Sequence, residues 1–477
     1  MSSKIYFDCR KFIIILFMIC IPYYLYFLKF SYFLISEHTL DKTYINTTSF
    51  RMIEISNTSR RNNRIKYYRK SLNKVSDMIQ TQIKEPKMQK QSITKTFFSR
   101  SRNIPIFNCS RLFESITILD VSLYVRFLNK TPIITPQNYM ESTRNCSSFI
   151  TDRGYITHHL TVEERNFPIA FSILMYKDVD QVERLLRTIY RPQNIYCIHV
   201  DSKTDDALYS AIQNVSHCFD NVFVLNKRVN VKWGEMSVLE PELLCMKELL
   251  TRNKRWKYFI NLTGQEFPLK TNYELVKILQ AYNGSNDVET SVREFTTRCV
   301  NKTSAPHGIR VTKGAVHVAV SRGFVEYAIY DQRAHDILTW MNKSCYIPDE
   351  AFFTTLNHNP HLGVPGAYKG HPETTVMANS RKPYLARYKN RQRISIYHST
   401  CRGKWVRGMC VYGHKDLPVL RGRRELFANK FHLHTFPVAY GCMEELIFNR
   451  TRDEFQGKRK FNASWYSTFD FVTNKVE

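Results

Sequence analysis

The sequence predicts an α/β fold with a mostly parallel sheet, and three observations predict it. The segment from Phe167 to Asp201 changes hydrophobic period twice, the strand and helix rhythm continues to about Glu266, and no paired CxxC spacing suggests a small zinc-built fold instead. Ile169 to Met175 is an apolar, β-branched run suited to a buried strand. Val182, Leu185, Leu186 and Ile189 then recur at i, i+3, i+4 and i+7, one face of a helix that Arg191-Pro192 stops; Ile195 to Val200 returns to a strand. A βαβ unit of this kind fits parallel strands, and such sheets bind ligands outside the carboxyl ends of their strands. Asp201 stands at such an end, where it either caps the next helix or meets a nucleotide's base or ribose. Leu208, Ala211, Ile212 and Val215 make a further helical stripe, Val222 to Leu225 a short strand, Leu239 to Leu250 a helix, and Trp256 to Leu262 a strand running into Thr263-Gly264-Gln265-Glu266.

With 477 residues and 43% hydrophobic content, the chain can bury one large domain with appendages. The formal charge of +27 points to nucleic acid, an acidic membrane surface, or a polyanionic or phosphorylated substrate. The N-terminus narrows the choice. Phe12 to Leu28 carries no charge and reaches the lower limit for spanning a bilayer, while Lys4, Arg10 and Lys11 precede it and hold residues 1–11 in the cytoplasm. No small-residue cleavage site follows, so the reading is a single-pass signal anchor, not a cleaved signal peptide. Twelve Asn-x-Ser/Thr sequons lie beyond it: Asn46, Asn57, Asn108, Asn129, Asn145, Asn214, Asn261, Asn283, Asn301, Asn342, Asn449 and Asn462, of which Asn261 falls within an expected strand and is expected to be buried. Ten of the twelve cysteines also fall there, an even number suited to disulfides in an oxidising compartment. Residues 29–105 read as a lumenal stem; from Glu37 to Pro105 the stretch is polar, with fifteen Lys/Arg against five Asp/Glu and no apolar period. Behind a signal anchor, its basic run at Arg60 to Arg64 reads as solvated stem, and nucleic acid is set aside as a partner. Residues 106–477 are left as the lumenal body.

No G-x-G-x-x-G opens the first helix and no G-x-x-x-x-G-K-[ST] occurs, which leaves a nucleotide-sugar transferase as the reading. Such enzymes neutralise the departing diphosphate either with a divalent cation on an Asp-x-Asp pair or with fixed Arg and Lys cations. Asp178-Val179-Asp180 has the first spelling, but it lies where paired acids cap a helix and meet its dipole. Ile347-Pro348-Asp349-Glu350 precedes an apolar aromatic stretch, so the two acids can open a helix there. The segment CRGKWVRGMC reads as a disulfide-closed hairpin carrying Arg407, and LFANKF follows with Lys430.

FPIAFSILMY, RLLRTIYRPQNIYCIHVD, HCFDNVFV, CMKELL, WKYFINLTGQEFPLKTN, PDE and VRGMCVYG with ELFANKF resemble the core 2/I-branching β-1,6-N-acetylglucosaminyltransferase family over about residues 106 to 450. The resemblance implies a type II Golgi membrane protein with a GT-A-like fold and an inverting, metal-independent reaction, hence no cofactor beyond the UDP-sugar donor. By motif, Glu350 matches the family's catalytic base, Arg407 and Lys430 its two cations on the UDP phosphates, and Asp201 its nucleoside contact. The resemblance also implies disulfides Cys109 to Cys442, Cys146 to Cys218, Cys197 to Cys245 and Cys401 to Cys410. Cys299 and Cys345 are left over, and parity pairs them.

On the acceptor side Glu289 and Arg298 lie in the segment that supplies polar contacts in the family, whereas an ungapped match puts Arg391 and Arg393 where vertebrate core 2 members place a Trp and a Tyr. The expected function is transfer of a sugar, GlcNAc first among candidates, from its UDP donor to the 6-hydroxyl of GalNAc or Gal in a glycoprotein O-glycan. UDP-glucose or UDP-xylose as donor, and a non-catalytic membrane-anchored glycan- or polyanion-binding protein, are the alternatives; a homodimer is left open.

Overall fold

The computed structural model describes residues 98, 107–114, 134–290, 299, 304–370, 384–391 and 400–477. All of them belong to one unit, Ile83–Glu477; the expected cytoplasmic tail, the anchor at 12–28 and most of the stem lie outside the described residues. Among the described residues no helix is long and apolar enough to cross a membrane. Phe98, which the sequence reading assigns to the stem, is buried, with its ring 5.6 Å from those of both Phe448 and Phe455.

Ile169–Met175 forms β1, buried along nearly its whole length, as a strand covered on both faces requires. Phe171, Ile173 and Met175 pack into one core and Ala170 into the other, following the two-residue alternation of a strand. Helix α1 (Val179–Ile189) starts where the Asp178 carboxylate accepts the Gln181 N–H at 3.1 Å, and it buries Val182, Leu185, Leu186 and Ile189. There follow β2 (Ile195–Val200), α2 (Asp206–His217), β3 (Val222–Val224), α3 (Glu240–Arg252) and β4 (Tyr258–Thr263). Strand β4 begins two residues later than expected because Trp256 belongs to the helix side: its indole N–H donates to the Leu249 carbonyl at 3.1 Å. Next come β5 (Glu266–Pro268), α4 (Asn272–Tyr282), β6 (Asp287–Val288) and β7 (Val318–Ser321).

The main sheet has the order β3-β2-β1-β4-β7-β6, parallel from β3 through β4 and antiparallel at β7 and β6. The chain winds outward from β1 to β3, then crosses back past β1 to β4. The carboxyl ends of β1 and β4 therefore flank a topological switch point, the place where open α/β sheets hold ligands. Helix α5 (Phe352–Asn357) and the strands β8 (Arg387–Lys389), β9 (Lys404–Val406), β10 (Met409–Val411) and β11 (Phe427–Asn429) come next. β11 lies between β5 and β8 in a second, three-stranded sheet, which sets the C-terminal third of the chain against the end of β4. The long helix α6 (Pro437–Phe455) closes that layer.

Five disulfides hold the unit, and they are the four implied by the resemblance together with Cys299–Cys345. Cys109–Cys442 joins residues 333 apart in sequence, so it ties the start of the body to α6 and removes much unfolded-chain freedom. Of the sequons, Asn108, Asn145, Asn283, Asn342 and Asn462 are exposed, and Asn214 and Asn449 are partly so. Asn261 is buried as expected: its amide nitrogen donates to the Val316 carbonyl at 2.8 Å and its oxygen accepts the Val318 N–H at 2.7 Å. Asn46, Asn57, Asn129 and Asn301 lie outside the described residues.

Candidate active site

At the switch point the carboxyl ends of β1, β2 and β4 open into a cavity of about 670 Å³. Met175, Tyr176 and Lys177 reach it from β1, Asp201 from β2, Gly264 and Gln265 from β4, and Lys430 and His432 from the segment after β11. Gly264 permits this closeness, since a Cβ there would meet the Val182 side chain at 2.6 Å. Asp201 and Lys430, widely separated in sequence, thus face one space.

Asp201 does not cap α2, whose N-cap is Asp205. Its carboxylate accepts the backbone N–H and the ammonium of Lys203, at 2.9 and 2.8 Å, and it is fixed at the cavity wall. Beside it His199 accepts the Val229 N–H through Nε2, and burial lowers its pKa to about 4. His432, which lines the cavity from the cationic side, is lowered likewise: burial, then Lys177, Lys430 and Lys404, bring it to about 4.

Arg407 occupies the tip of the β9–β10 hairpin at φ 52°, followed by Gly408 at φ 73°, a turn closed by Cys401–Cys410. It is exposed and stands outside the residues that line the cavity, but its charge reaches Lys430. Lys430 is lowered from the ordinary lysine range by burial first, then by Arg407 and Lys177. Three cations, Lys177, Arg407 and Lys430, therefore act on one another at this side of the cavity, an arrangement that attracts a polyanion such as a diphosphate. Lys177 is the member that sequence reasoning missed; its signal was its place immediately after the first strand.

The Asp-x-Asp pair is divided between two tasks. Asp178 caps α1 and meets His434 at 3.3 Å, while Asp180 is buried, accepting the Tyr139 hydroxyl at 2.7 Å and pairing with Arg184 at 3.1 Å. Among the described residues the other cluster of potential metal-binding groups, Cys401, Cys410 and Asp416, has both sulfurs in a disulfide.

Glu350 lies in a 3-10 turn, Pro348–Glu350, before α5, whereas the sequence suggested the first turn of that helix. It is half-buried and does not line the 670 Å³ cavity. Gly314 links it to Glu289: the Gly314 N–H donates to the Glu350 carbonyl at 2.7 Å, and a Cβ on Gly314 would sit 2.0 Å from the Glu289 carbonyl oxygen. The Glu289 carboxylate accepts from Lys389 Nζ at 2.7 Å. Burial raises the Glu289 pKa, but Lys389 and then Arg391 more than offset this, and the group ends below the usual carboxylate range. Arg298 and Arg393 lie outside the described residues.

Lys389 was not singled out from the sequence, and neither was the buried network beneath it. Glu266 accepts from Arg387 at 2.9 Å and from Asn429 at 2.9 Å, and lies 2.9 Å from His317 Nε2. Burial pushes Glu266 up, while Arg387 and His317 bring it down to about 2. His317 also lines the cavity, so the network borders it, and the charge of His317 acts on Glu289 as well. The signal for it was the alternation Arg387, Lys389, Arg391, which places cations on one face of a strand.

The chain is similar to known proteins over most of its described body. Residues 169–421 match the family described as Core-2/I-Branching enzyme. The human N-acetyllactosaminide beta-1,6-N-acetylglucosaminyl-transferase is 36% identical over 344 residues, covering 67% of this chain and 82% of that protein. The human Beta-1,3-galactosyl-O-glycosyl-glycoprotein beta-1,6-N-acetylglucosaminyltransferase is 34% identical over 361 residues, 71% of this chain and 84% of that protein. A Danio rerio protein of the latter name, numbered 4, is 36% identical over 329 residues, 64% of this chain and 75% of its own length. The match over residues 169–421 and this identity over most of each relative show that the chain belongs to the core-2/I-branching enzyme family of glycosyltransferases.

Proposed function

We propose that the protein transfers N-acetylglucosamine from UDP-GlcNAc to the 6-hydroxyl of GalNAc or Gal in a glycoprotein O-glycan. The observation that carries this is the joining of Asp201 and Lys430 in one cavity at the switch point, with Glu350 and Glu289 tied together through Gly314. Asp201 contacts the nucleoside, and Lys430 with Arg407 neutralises the diphosphate. Glu350 takes the proton from the acceptor hydroxyl as its oxygen forms the bond to the anomeric carbon. The bond from that carbon to the diphosphate oxygen breaks on the opposite face, UDP leaves with the electron pair, and an α-linked donor gives a β-linked product. A fixed cationic clamp does the work of a divalent cation in this scheme, which agrees with the engagement of Asp178 and Asp180 in α1. By the same reading the protein is a single-pass type II Golgi membrane protein, anchored through 12–28 with its catalytic body in the lumen.

The test is incubation of the lumenal body with a panel of UDP-sugars and a Gal-β-1,3-GalNAc acceptor in EDTA, with products read by mass and linkage. Transfer of GlcNAc to the 6-hydroxyl is expected. Transfer from UDP-glucose or UDP-xylose instead would replace the donor, activity restored only by Mn²⁺ would overturn the clamp, and UDP binding without transfer under either condition would favour a non-catalytic glycan-binding protein.

A further inference from the structure

Lys389 ends β8 with its side chain only 7% exposed, a rare place for an ammonium unless partners hold it. Its Nζ is 2.7 Å from Glu289 Oε2 and lies 4.8 Å from the centre of the Tyr384 ring. Gly314 keeps the backbones of Glu289 and Glu350 in register, and the Glu350 carboxylate also acts on Lys389 through its charge. On the other side Lys389 pairs in the sheet with Asn429, the residue before Lys430, and Arg391, two places on, bridges to Met409 of the Arg407 hairpin. One buried cation is thus built into the strand between the acceptor carboxylates and the donor clamp.

We infer that Lys389 is a positioning residue for the acceptor: its ammonium aims the Glu289 carboxylate at the sugar and supplies the positive charge beside which Glu350 works as a base. The inference rests on the transfer reaction proposed above. The charged and titratable groups that face Lys389 are Glu289, Glu350, Arg391, His317 and Tyr384. Burial lowers the Lys389 pKa and Glu289 opposes that only in part, so the ammonium is lost on the alkaline side earlier than an ordinary lysine would lose it.

The experiment measures kcat and KM for the disaccharide acceptor against pH at saturating UDP-sugar, with UDP affinity titrated separately, for wild type, Lys389→Met and Lys389→Arg. The methionine variant is expected to raise the acceptor KM at least about tenfold, with UDP affinity within about twofold of wild type. The limb of kcat/KM that reports the Glu289 carboxyl should move to higher pH, because the cation that lowers it is gone. The arginine variant should recover most of the transfer and move the alkaline limb to higher pH, since its guanidinium does not titrate there. Unmoved limbs, an arginine variant as defective as methionine, or a parallel loss of UDP affinity would each overturn the inference. If the methionine variant is not secreted folded, the arginine variant's alkaline limb decides alone. Wild type that transfers no sugar would overturn the proposed reaction itself and the inference with it, whereas active wild type with an indifferent Lys389 overturns only the inference.

Discussion

Gly314 donates its N–H to the Glu350 carbonyl at 2.7 Å while leaving no room for a side chain between itself and Glu289. The backbones of Glu289 and Glu350, the two acids assigned above to the acceptor side, are therefore held together by one glycine. In Gly314→Ala the new methyl would meet the Glu289 carbonyl oxygen at 2.0 Å, and neither backbone atom is a flexible end that can swing away. We expect about a hundredfold loss of kcat/KM, the order that a displacement of about 1 Å produces at a reacting centre, with UDP affinity retained. Steady-state kinetics and UDP titration on the same preparation check both halves.

Glu350→Gln preserves shape and hydrogen-bonding capacity but cannot accept a proton. Turnover should fall by at least about a hundredfold, the ordinary contribution of a general base, and UDP binding should be unchanged because Glu350 lies outside the cavity that holds Asp201 and Lys430. Loss of UDP affinity in this variant would assign Glu350 to structure.

Much of this arrangement was legible in the sequence where the signal is local. The period change from Ile169–Met175 to Val182–Ile189 announced β1 and α1, and the aromatic strand ending in Thr-Gly-Gln-Glu announced β4. The second sheet was not legible. Its strands β5, β8 and β11 are three residues each, too short for a period to develop, and β11 pairs with β8 across 40 positions and with β5 across about 160. Lys389 escaped for the same reason: in the string Arg387 to Arg391 it reads as a solvated charge, and only the sheet that covers β8 makes it a buried one. Arg387, with its guanidinium on Glu266 and over the Phe427 ring at 5.0 Å, is a parallel case.

Lys430 carries a pH dependence of stated sign. Burial, then Arg407 and Lys177, lower its pKa, so its positive charge is present at low pH and is lost as pH rises, sooner than for an ordinary lysine. UDP affinity should accordingly decline on the alkaline side. Lys430→Met should weaken UDP about tenfold and abolish that decline. Arg407→Met should also weaken UDP yet move the decline to higher pH, because a cation that depresses Lys430 has gone. Calorimetric titration of UDP at several pH values separates the two variants.

Glu242 offers a test of the core that is independent of catalysis. It is fully buried on α3, accepts the Ser172 hydroxyl of β1 at 2.6 Å, and burial raises its pKa to about 7. A carboxyl whose folded pKa exceeds its unfolded one binds more protons in the folded state, so its contribution is present at low pH and is lost as pH rises from about 4.5 to about 7. The full effect is on the order of 3 kcal/mol, about 1.4 kcal/mol per pH unit across that window. Glu242→Gln keeps a neutral, hydrogen-bonding group at every pH. Denaturant unfolding of the disulfide-intact body should therefore show wild type losing stability across that window relative to the variant, and equal slopes for the two would mean that Glu242 stays protonated beyond it or is reached by water.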